Sequence, residues 1–216
     1  MITVTEQMLN DLRKTISSGL SAKRLRHTLM VEQMAADLAG LYCPERTMQL
    51  RAAALLHDLT KEYGVEEHRK IFAANGIELC EADLLAPKTL HARTAALLIP
   101  ERFPQFADPE ILSMVRWHTT GHAGMTLPEK ILYLADYIDL SRTFEDCVIL
   151  RRYFWGAYPV EMDQSGRARL LRDTLIFSFD LTMRDLLANG NPIAQDTIAA
   201  RNELLLERAK CEKEEN

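Results

Sequence analysis

The adjacent pair His57 and Asp58 is the most informative candidate for chemistry in this sequence. It lies in the otherwise apolar segment Ala52–Leu59, which we predict to be part of a buried helix. A charged carboxylate in such surroundings is costly unless a cation or a metal ion compensates it. We therefore expect a positive charge beside Asp58.

Four more residues of ligand type occur in similar helix-like surroundings, far apart along the chain: His27, His91, His118 and Asp136. Imidazoles and carboxylates together bind divalent metals, and six such residues are more than one tetrahedral site needs. For any single histidine, a hydrogen-bonded core position is the commoner explanation. The set of six favours a metal centre in which Asp58 bridges two ions. His68, in a charged run that we expect to be solvated, and His122 are weaker candidates.

Lys61 follows His57 by four residues and Asp58 by three, so a continuous helix would place it on the same face as both. A lysine is a compact point charge that suits a phosphate bound to metals. A solvated lysine that favours the helix end is the alternative.

Composition indicates an ordinary globular protein. The chain has 216 residues, of which 47% are hydrophobic and 26% are charged, enough for one domain with a substantial core. The formal charge of -5 does not indicate a nucleic-acid surface. The four cysteines form no CxxC pair, which favours reduced thiols over disulfides. No basic region precedes an apolar core at the start, and no stretch approaches the roughly 18 apolar residues of a membrane span, so we expect a cytoplasmic protein.

Hydrophobic periodicity and capping residues predict an all-α fold, because strand-like alternation persists nowhere. Helices are predicted over about 5–17, 21–41, 44–62, 65–75, 92–98, 108–118, 126–136, 145–155, 166–187 and 193–210. The third begins with Pro44 in its first turn and carries the His57 and Asp58 pair. Pro100 is expected just beyond the fifth. Residues 210–216 are expected to form a solvated tail.

The predicted ligands carry a family resemblance. His27, the His57 and Asp58 pair, His91, His118 and Asp136 resemble the ligand series of the HD-domain metal-dependent phosphohydrolases. More narrowly, the segments His57–Lys61, His118–Gly121 and Glu129–Asp136, with Arg142 downstream, resemble the YqeK subfamily of symmetrical diadenosine tetraphosphate hydrolases. The resemblance covers roughly residues 22–146. It implies an HD-domain helical bundle over residues 1–146, with additional C-terminal helices over 147–216 that pack on this core.

This resemblance implies a di-iron centre, with manganese or cobalt as alternative metals and no residue assigned to an organic cofactor. The first ion would be bound by His27, His57, Asp58 and Asp136. The second would be bound by Asp58, His91 and His118. The implied reaction is hydrolysis of diadenosine tetraphosphate, and of related dinucleoside tetraphosphates, at the central anhydride. Two nucleoside diphosphates would result.

The resemblance also implies roles for residues around the metals. The implied catalytic residues are Asp58, Lys61 and Arg142. The implied substrate-binding residues are Lys61, Thr119, Thr120, Gly121, His122 and Arg142. Two positions depart from the family pattern, since Asp139–Leu140 stands where Glu-Pro is expected and His122 where a permanent cation is expected. A mostly neutral imidazole holds phosphate less strongly than such a cation.

Two alternatives stay open at this stage. The protein could be another HD-type nucleotide phosphohydrolase, although the absence of a Gly-Tyr-Pro tripeptide argues against a cyclic dinucleotide substrate. It could instead be a nucleotide-binding regulatory protein with little turnover. The expected partner is a small-molecule dinucleoside polyphosphate, a homodimer is left open, and neither nucleic acid nor a membrane is expected.

Overall fold

The computed structural model describes residues 2–214, and within them the chain forms eleven α-helices and no strand. The helices are α1 (Glu6–Ser17), α2 (Ala22–Tyr42), α3 (Thr47–Leu56), α4 (Val65–Ala74), α5 (Glu81–Leu85), α6 (Leu90–Arg102), α7 (Pro109–Trp117), α8 (Leu127–Ile138), α9 (Glu145–Gly156), α10 (Gln164–Ala188) and α11 (Gln195–Glu214). The predicted all-α fold is confirmed. Within this range, no helix is long and apolar enough to cross a membrane.

Several predicted helix starts are confirmed by their caps. The side chains of Thr5 and Ser21 each accept a hydrogen bond from the backbone N–H three residues later. Thr126 and Glu129 form a reciprocal capping box at the start of α8. These short polar side chains satisfy N–H groups that the first helical turn leaves without partners.

The third helix is shorter than predicted. Its α-helical part, α3, ends at Leu56 rather than near residue 62. In the turn that follows, the N–H of Lys61 bonds to the carbonyl of Asp58, three residues back, at 3.0 Å. The Thr60 hydroxyl donates to the backbone carbonyl of His91 at 2.9 Å and ties this turn to α6. The His57 and Asp58 pair therefore follows a buried helix instead of lying within one.

Two further expectations were wrong. Pro100 lies inside α6, in its last turns, where the missing N–H removes one backbone hydrogen bond. His68 is only 4% exposed, although its sequence neighbours are charged. It shares the buried face of α4 with Phe72, four residues later, and its Nδ1 lies 2.9 Å from the Thr94 hydroxyl. His68 is thus a core residue that bonds to Thr94 and not to a predicted ligand side chain.

Helix α8 lies at the centre of the fold. Its apolar residues from Ile131 to Ile138 are almost all fully buried, and it contacts α2, α3, α7, α9 and α10. Helix α6 packs against α7. The helices that carry or precede the predicted ligands therefore pack together, which brings distant parts of the sequence close in space.

The C-terminal helices share this core. Phe154 on α9 and Phe179 on α10 are fully buried in the same cluster as the α8 side chains. The structure gives α11 through Glu214, and residues 210–213 of the predicted solvated tail continue this helix with exposed side chains. The last two residues of that predicted tail, 215 and 216, lie outside the described residues.

The turn after α7 generates a stability prediction. Gly121 and Gly124 both have positive φ, at 61° and 78°. A Cβ on Gly121 would lie 2.8 Å from Cζ of Phe179, whereas a Cβ on Gly124 would meet no atom within 4 Å. Gly121→Ala and Gly124→Ala therefore share backbone strain and differ in steric overlap. We predict that Gly121→Ala lowers the free energy of unfolding by about 1–3 kcal/mol more than Gly124→Ala. Urea unfolding would measure this, and equal losses would contradict the packing argument.

Candidate metal centre

Four imidazole rings converge on two carboxylates. The ligand-type residues come from α2 (His27), from the end of α3 (His57 and Asp58), from the first turn of α6 (His91), from the end of α7 (His118) and from α8 (Asp136). All of these residues except Asp136 are at most 7% exposed. The structure thus brings the six predicted ligands into one buried cluster.

The Asp58 carboxylate lies between two groups of imidazoles. Its Oδ2 is 3.3 Å from Nε2 of His57 and 3.6 Å from Nε2 of His27. Its Oδ1 is 3.2 Å from Nε2 of His91 and 3.8 Å from Nε2 of His118. Each oxygen therefore faces a different pair of rings, as a bridging carboxylate requires.

Asp136 joins the first of these two groups. Its Oδ1 lies 2.9 Å from Nε2 of His27 and 3.7 Å from Nε2 of His57. Two sets of three donor atoms each lie within 4.8 Å of one another: His27 with His57 and Asp136, and His57 with Asp58 and His118. Donors spaced in this way could hold metal ions.

Backbone carbonyls orient three of the four histidines. His57, His91 and His118 each have Nδ1 at 2.6–2.8 Å from the carbonyl oxygen three residues earlier. An Nδ1–H that donates to a carbonyl leaves the lone pair on Nε2, which is the tautomer that binds metal. These three Nε2 lone pairs point towards Asp58.

Asp139 orients the fourth histidine, and sequence reasoning did not give it this role. It is fully buried, and its Oδ2 lies 3.3 Å from Nδ1 of His27 and 3.5 Å from Nε of Arg142. The Ser141 hydroxyl also lies 3.1 Å from Nδ1 of His27. The shorter carboxylate of this chain therefore still reaches the ligand ring. Its spacing of three residues after Asp136 was the available signal.

Arg24 was also missed, although a positive charge beside Asp58 was expected. Its Nη1 donates to Oδ2 of Asp58, and the Arg24 side chain is 22% exposed. The expectation of a cation at this carboxylate is confirmed. Arg24 precedes His27 by three residues on α2, so the helical spacing could have placed it on the same face.

The pKa values of two histidines in the cluster are raised towards the charged form. Burial alone would lower the pKa of His57, but the carboxylates of Asp58 and Asp136 raise it to about 10. Burial likewise opposes charge on His27, whose pKa is nevertheless raised by Asp136 and Asp139. The buried carboxylates therefore favour the charged form of both imidazoles.

The donor atoms fit a divalent cation. Nε2 of His27, Nε2 of His57 and Oδ1 of Asp58 are buried and form no hydrogen bond of normal geometry within the described part of the chain, although other donors and acceptors of the cluster lie 2.9–3.3 Å away. Buried polar atoms normally have partners, so three such atoms in one cluster need an explanation. Mixed nitrogen and oxygen donors of this kind suit first-row divalent metals.

Lys61 and Thr119 lie at the edge of the cluster. Nζ of Lys61 is 3.1 Å from Nε2 of His91 and 4.0 Å from Oδ1 of Asp58. Burial lowers the pKa of Lys61, and the Asp58 carboxylate partly offsets this effect. The Thr119 hydroxyl is 3.2 Å from Nε2 of His91 and 3.1 Å from Nε2 of His118. Both side chains can therefore contact a ligand bound there.

Arg142 is bound to one of the predicted ligands. Its Nη2 donates to Oδ1 of Asp136 at 2.5 Å, and its Nε donates to the Asp136 backbone carbonyl at 2.5 Å. Burial opposes the charge of this guanidinium, but Asp136 raises the pKa of Arg142 above its usual value. Arg142 thus fixes Asp136 in addition to presenting a charge at the site.

The side-chain hydrogen bonds of Thr120 and His122 are made outside the cluster, although Thr120 lines the same cavity as Thr119. The Thr120 hydroxyl donates to the carbonyl of Gly121 at 3.0 Å. Nε2 of His122 lies 3.2 Å from Oε2 of Glu129, and its ring centroid is 4.5 Å from that of Trp117. Glu129 belongs to the capping box at the start of α8, nearly two helical turns before Asp136. The contact with Glu129 therefore holds His122 at the start of α8 and not at the cluster.

A basic cavity of about 380 Å³ opens beside His27. Four permanent cations line it: Lys23, Arg24, Arg26 and Arg142. Its described lining contains no carboxylate. Arg24 also contacts Asp58, and Arg142 also contacts Asp136, so the cavity is continuous with the cluster. The geometry combines candidate metal ligands with a pocket for an anion.

Comparison with known proteins identifies the class. Residues 24–141 match the HD domain family. The fold is similar to that of a protein from Clostridium acetobutylicum described as a predicted HD superfamily hydrolase involved in NAD metabolism. That match has a TM-score of 0.79 and 30% identity, and it covers 95% of this chain and 100% of the other. The fold is that of an HD-domain hydrolase.

Two curated relatives identify the family to which the chain belongs within the HD-domain hydrolases. A protein of Halalkalibacterium halodurans is 33% identical over 195 residues, covering 89% of this chain and 95% of the relative. A protein of Bacillus subtilis is 32% identical over 192 residues, covering 88% and 94%. Both are named symmetrical bis(5'-nucleosyl)-tetraphosphatase. The chain belongs to this family of HD-domain hydrolases, and the resemblance seen in the sequence is confirmed.

The contact between Arg24 and Asp58 generates a prediction about metal removal. Without metal, Arg24 supplies charge that the buried carboxylate needs, whereas bound metal would supply it otherwise. Arg24→Gln should therefore destabilise chelator-treated protein by about 1–3 kcal/mol, the usual cost of leaving a buried charged group without its partner. The loss should be smaller after metal is restored. Arg26→Gln is the control, because Arg26 is exposed and lies on the same helix. Thermal unfolding that shows equal losses for both variants without metal would contradict the prediction.

Proposed function

We propose that the protein hydrolyses diadenosine tetraphosphate, and related dinucleoside tetraphosphates, to two nucleoside diphosphates at a two-metal centre. The observation that carries this proposal is the position of Asp58, whose two oxygens face separate pairs of imidazoles. The names of the curated relatives support the substrate class and the symmetrical cut.

The proposed ligand sets follow the geometry of the cluster. One ion would be held by His27, His57, Asp58 and Asp136. The other would be held by Asp58, His91 and His118. When bound, two such ions would lower the pKa of a bound water and neutralise phosphoryl oxygens. Iron is our proposal for the native metal, with manganese and cobalt as alternatives for the same donors.

The chain's own cations would stabilise the phosphates during the reaction. Lys61 presents an ammonium group at the second pair of imidazoles, and Arg142 presents a guanidinium at Asp136. Phosphoryl transfer is promoted mainly by positioning and by positive charge around the transferred group. The basic cavity would take the departing nucleoside diphosphate. That product is already a good leaving group, so no strong general acid is required.

Two alternative functions would use the same site and would give different experimental results. Another HD-type nucleotide phosphohydrolase would use the same centre on a different phosphate ester or anhydride. A nucleotide-binding regulatory protein would bind substrate with little turnover. The position of Lys61 beside His91 favours catalysis over binding alone, because the ammonium lies where phosphoryl oxygens would meet the cluster.

Product analysis is the first test. Metal-loaded protein should convert diadenosine tetraphosphate into ADP alone, which chromatography would show at early times. In oxygen-18 water, the label should appear at the β-phosphate of one of the two ADP molecules. ATP and AMP as initial products would exclude a symmetrical cut. Tight nucleotide binding without turnover across a panel of nucleotides would favour the regulatory function.

Metal stoichiometry is the second test. We predict two metal ions per chain in the wild type under saturating iron or manganese. Asp58→Ala should remove both, because each Asp58 oxygen faces one pair of imidazoles. Asp136→Ala should remove only the ion on the His27 side, since Asp136 contacts that group alone. Elemental analysis would measure these values, and one ion or fewer in the wild type would refute the two-metal proposal.

A further inference from the structure

A second cavity, of about 310 Å³, is formed by the segment before α6, the loop after α7 and the junction of α10 and α11. We call it the apolar cavity. Its volume is near the lower end of the roughly 300–1,000 Å³ typical of small-molecule sites. It therefore suits one nucleoside better than a whole dinucleotide.

The apolar cavity is continuous with the metal centre. Thr119 lines it, and the Thr119 hydroxyl lies 3.2 Å from Nε2 of His91 and 3.1 Å from Nε2 of His118. Lys88 also lines it, and the Lys88 carbonyl oxygen lies 2.8 Å from Nδ1 of His91. A nucleoside in this cavity would have its phosphates directed to the His91 and His118 side of Asp58.

The two cavities differ in chemical character. The apolar cavity has hydrocarbon walls that include Leu85, Pro87, Leu186, Pro192 and Ala194. Its polar side chains are mostly neutral hydroxyls and one amide, with Lys88 as the cation among the described lining residues. Such a lining suits a base and a sugar. The basic cavity instead has four cations and suits phosphates.

The cluster of candidate ligands lies between the two cavities. The apolar cavity adjoins the His91 and His118 side, and the basic cavity adjoins the His27 and Asp136 side. In the basic cavity the large apolar side chain is Phe144, which is 71% exposed. The structure thus provides one built cavity for a nucleoside and, opposite it, a site that recognises charge.

We propose that one nucleoside is sufficient for catalysis and that the protein also hydrolyses nucleoside 5'-tetraphosphates. This inference rests on the proposed function. The single nucleoside occupies the apolar cavity, and its two distal phosphates occupy the basic cavity. The products are a nucleoside diphosphate and pyrophosphate.

The step balances with water as the co-reactant. The water oxygen forms a bond to the β-phosphorus, and the bond from that phosphorus to the oxygen bridging it to the γ-phosphorus breaks. The bridging oxygen leaves with the electron pair as part of pyrophosphate, and the protons of water pass to solvent or to the product phosphates. Negative charge develops on the leaving group, which lies among the cations of the basic cavity.

Adenosine 5'-tetraphosphate tests the proposal because its two halves differ. With metal-loaded full-length protein, we expect ADP and pyrophosphate, with kcat/KM within about tenfold of the value for diadenosine tetraphosphate. In oxygen-18 water the label should appear in ADP. Hydrolysis of the dinucleotide alone would overturn the inference and leave the proposed function intact. Label in pyrophosphate would overturn the assigned orientation. No hydrolysis of either substrate would refute the proposed function itself.

Neighbouring leucines on α10 provide a matched pair of variants. Leu186 lines the apolar cavity, whereas Leu187 is 69% exposed and does not line it. Leu186→Trp should weaken AMP binding, measured by calorimetry, by at least tenfold and raise KM for both substrates. Leu187→Trp should change neither. Leu186→Ala provides a second variant should the tryptophan disturb folding, and it should weaken AMP binding in the same direction. Unchanged AMP binding in both Leu186 variants would exclude this cavity as the nucleoside site.

Phe144 tests whether the second nucleoside is recognised. If its exposed ring bound a base, Phe144→Ala would lower kcat/KM for diadenosine tetraphosphate and leave the value for adenosine 5'-tetraphosphate unchanged. We expect the ratio of the two values to stay within about twofold of wild type. A selective loss for the dinucleotide would overturn the claim that one nucleoside is sufficient.

Discussion

The structure depends on the buried negative charge of Asp58. The residue is 2% exposed, and a carboxylate removed from water to this extent costs several kcal/mol unless other groups compensate it. The chain brings Arg24, Lys61 and four imidazoles towards its two oxygens. These groups come from different parts of the chain, so the packing of α2, α3 and α7 around α8, and of α6 against α7, also forms the site.

The C-terminal ends of two helices orient two of the histidines. His57 and His118 directly follow the last residues of α3 and α7, where backbone carbonyls lack helical partners. The Ala54 and Val115 carbonyls therefore remain able to accept from the imidazole Nδ1 atoms. Had α3 continued, the N–H of Asp58 would have competed for the Ala54 carbonyl. The early end of α3 thus favours the His57 tautomer that keeps a lone pair on Nε2.

These details explain how far the sequence could predict the site. The six ligand-type residues were recognisable because polar groups of metal-binding chemistry stood in apolar surroundings. Arg24 lies three residues before His27 on α2, so helical spacing could have revealed it. Asp139 follows the end of α8, and its nearness to Asp136 in the sequence was the available signal. The end of α3 could not be predicted, because the apolar pattern continues through Leu59 and the following turn contacts α6, which is distant in the sequence.

Protein-wide charge and local charge act oppositely on an anionic substrate. The formal charge of -5 repels a polyanion, but salt screens exposed charges beyond about 8 Å at physiological ionic strength. The four cations of the basic cavity adjoin the cluster itself, where their field acts at short range and with less water between the charges. Local geometry therefore determines recognition, and an acidic chain can bind a tetraphosphate once its phosphates reach the cavity between Arg24 and Arg142.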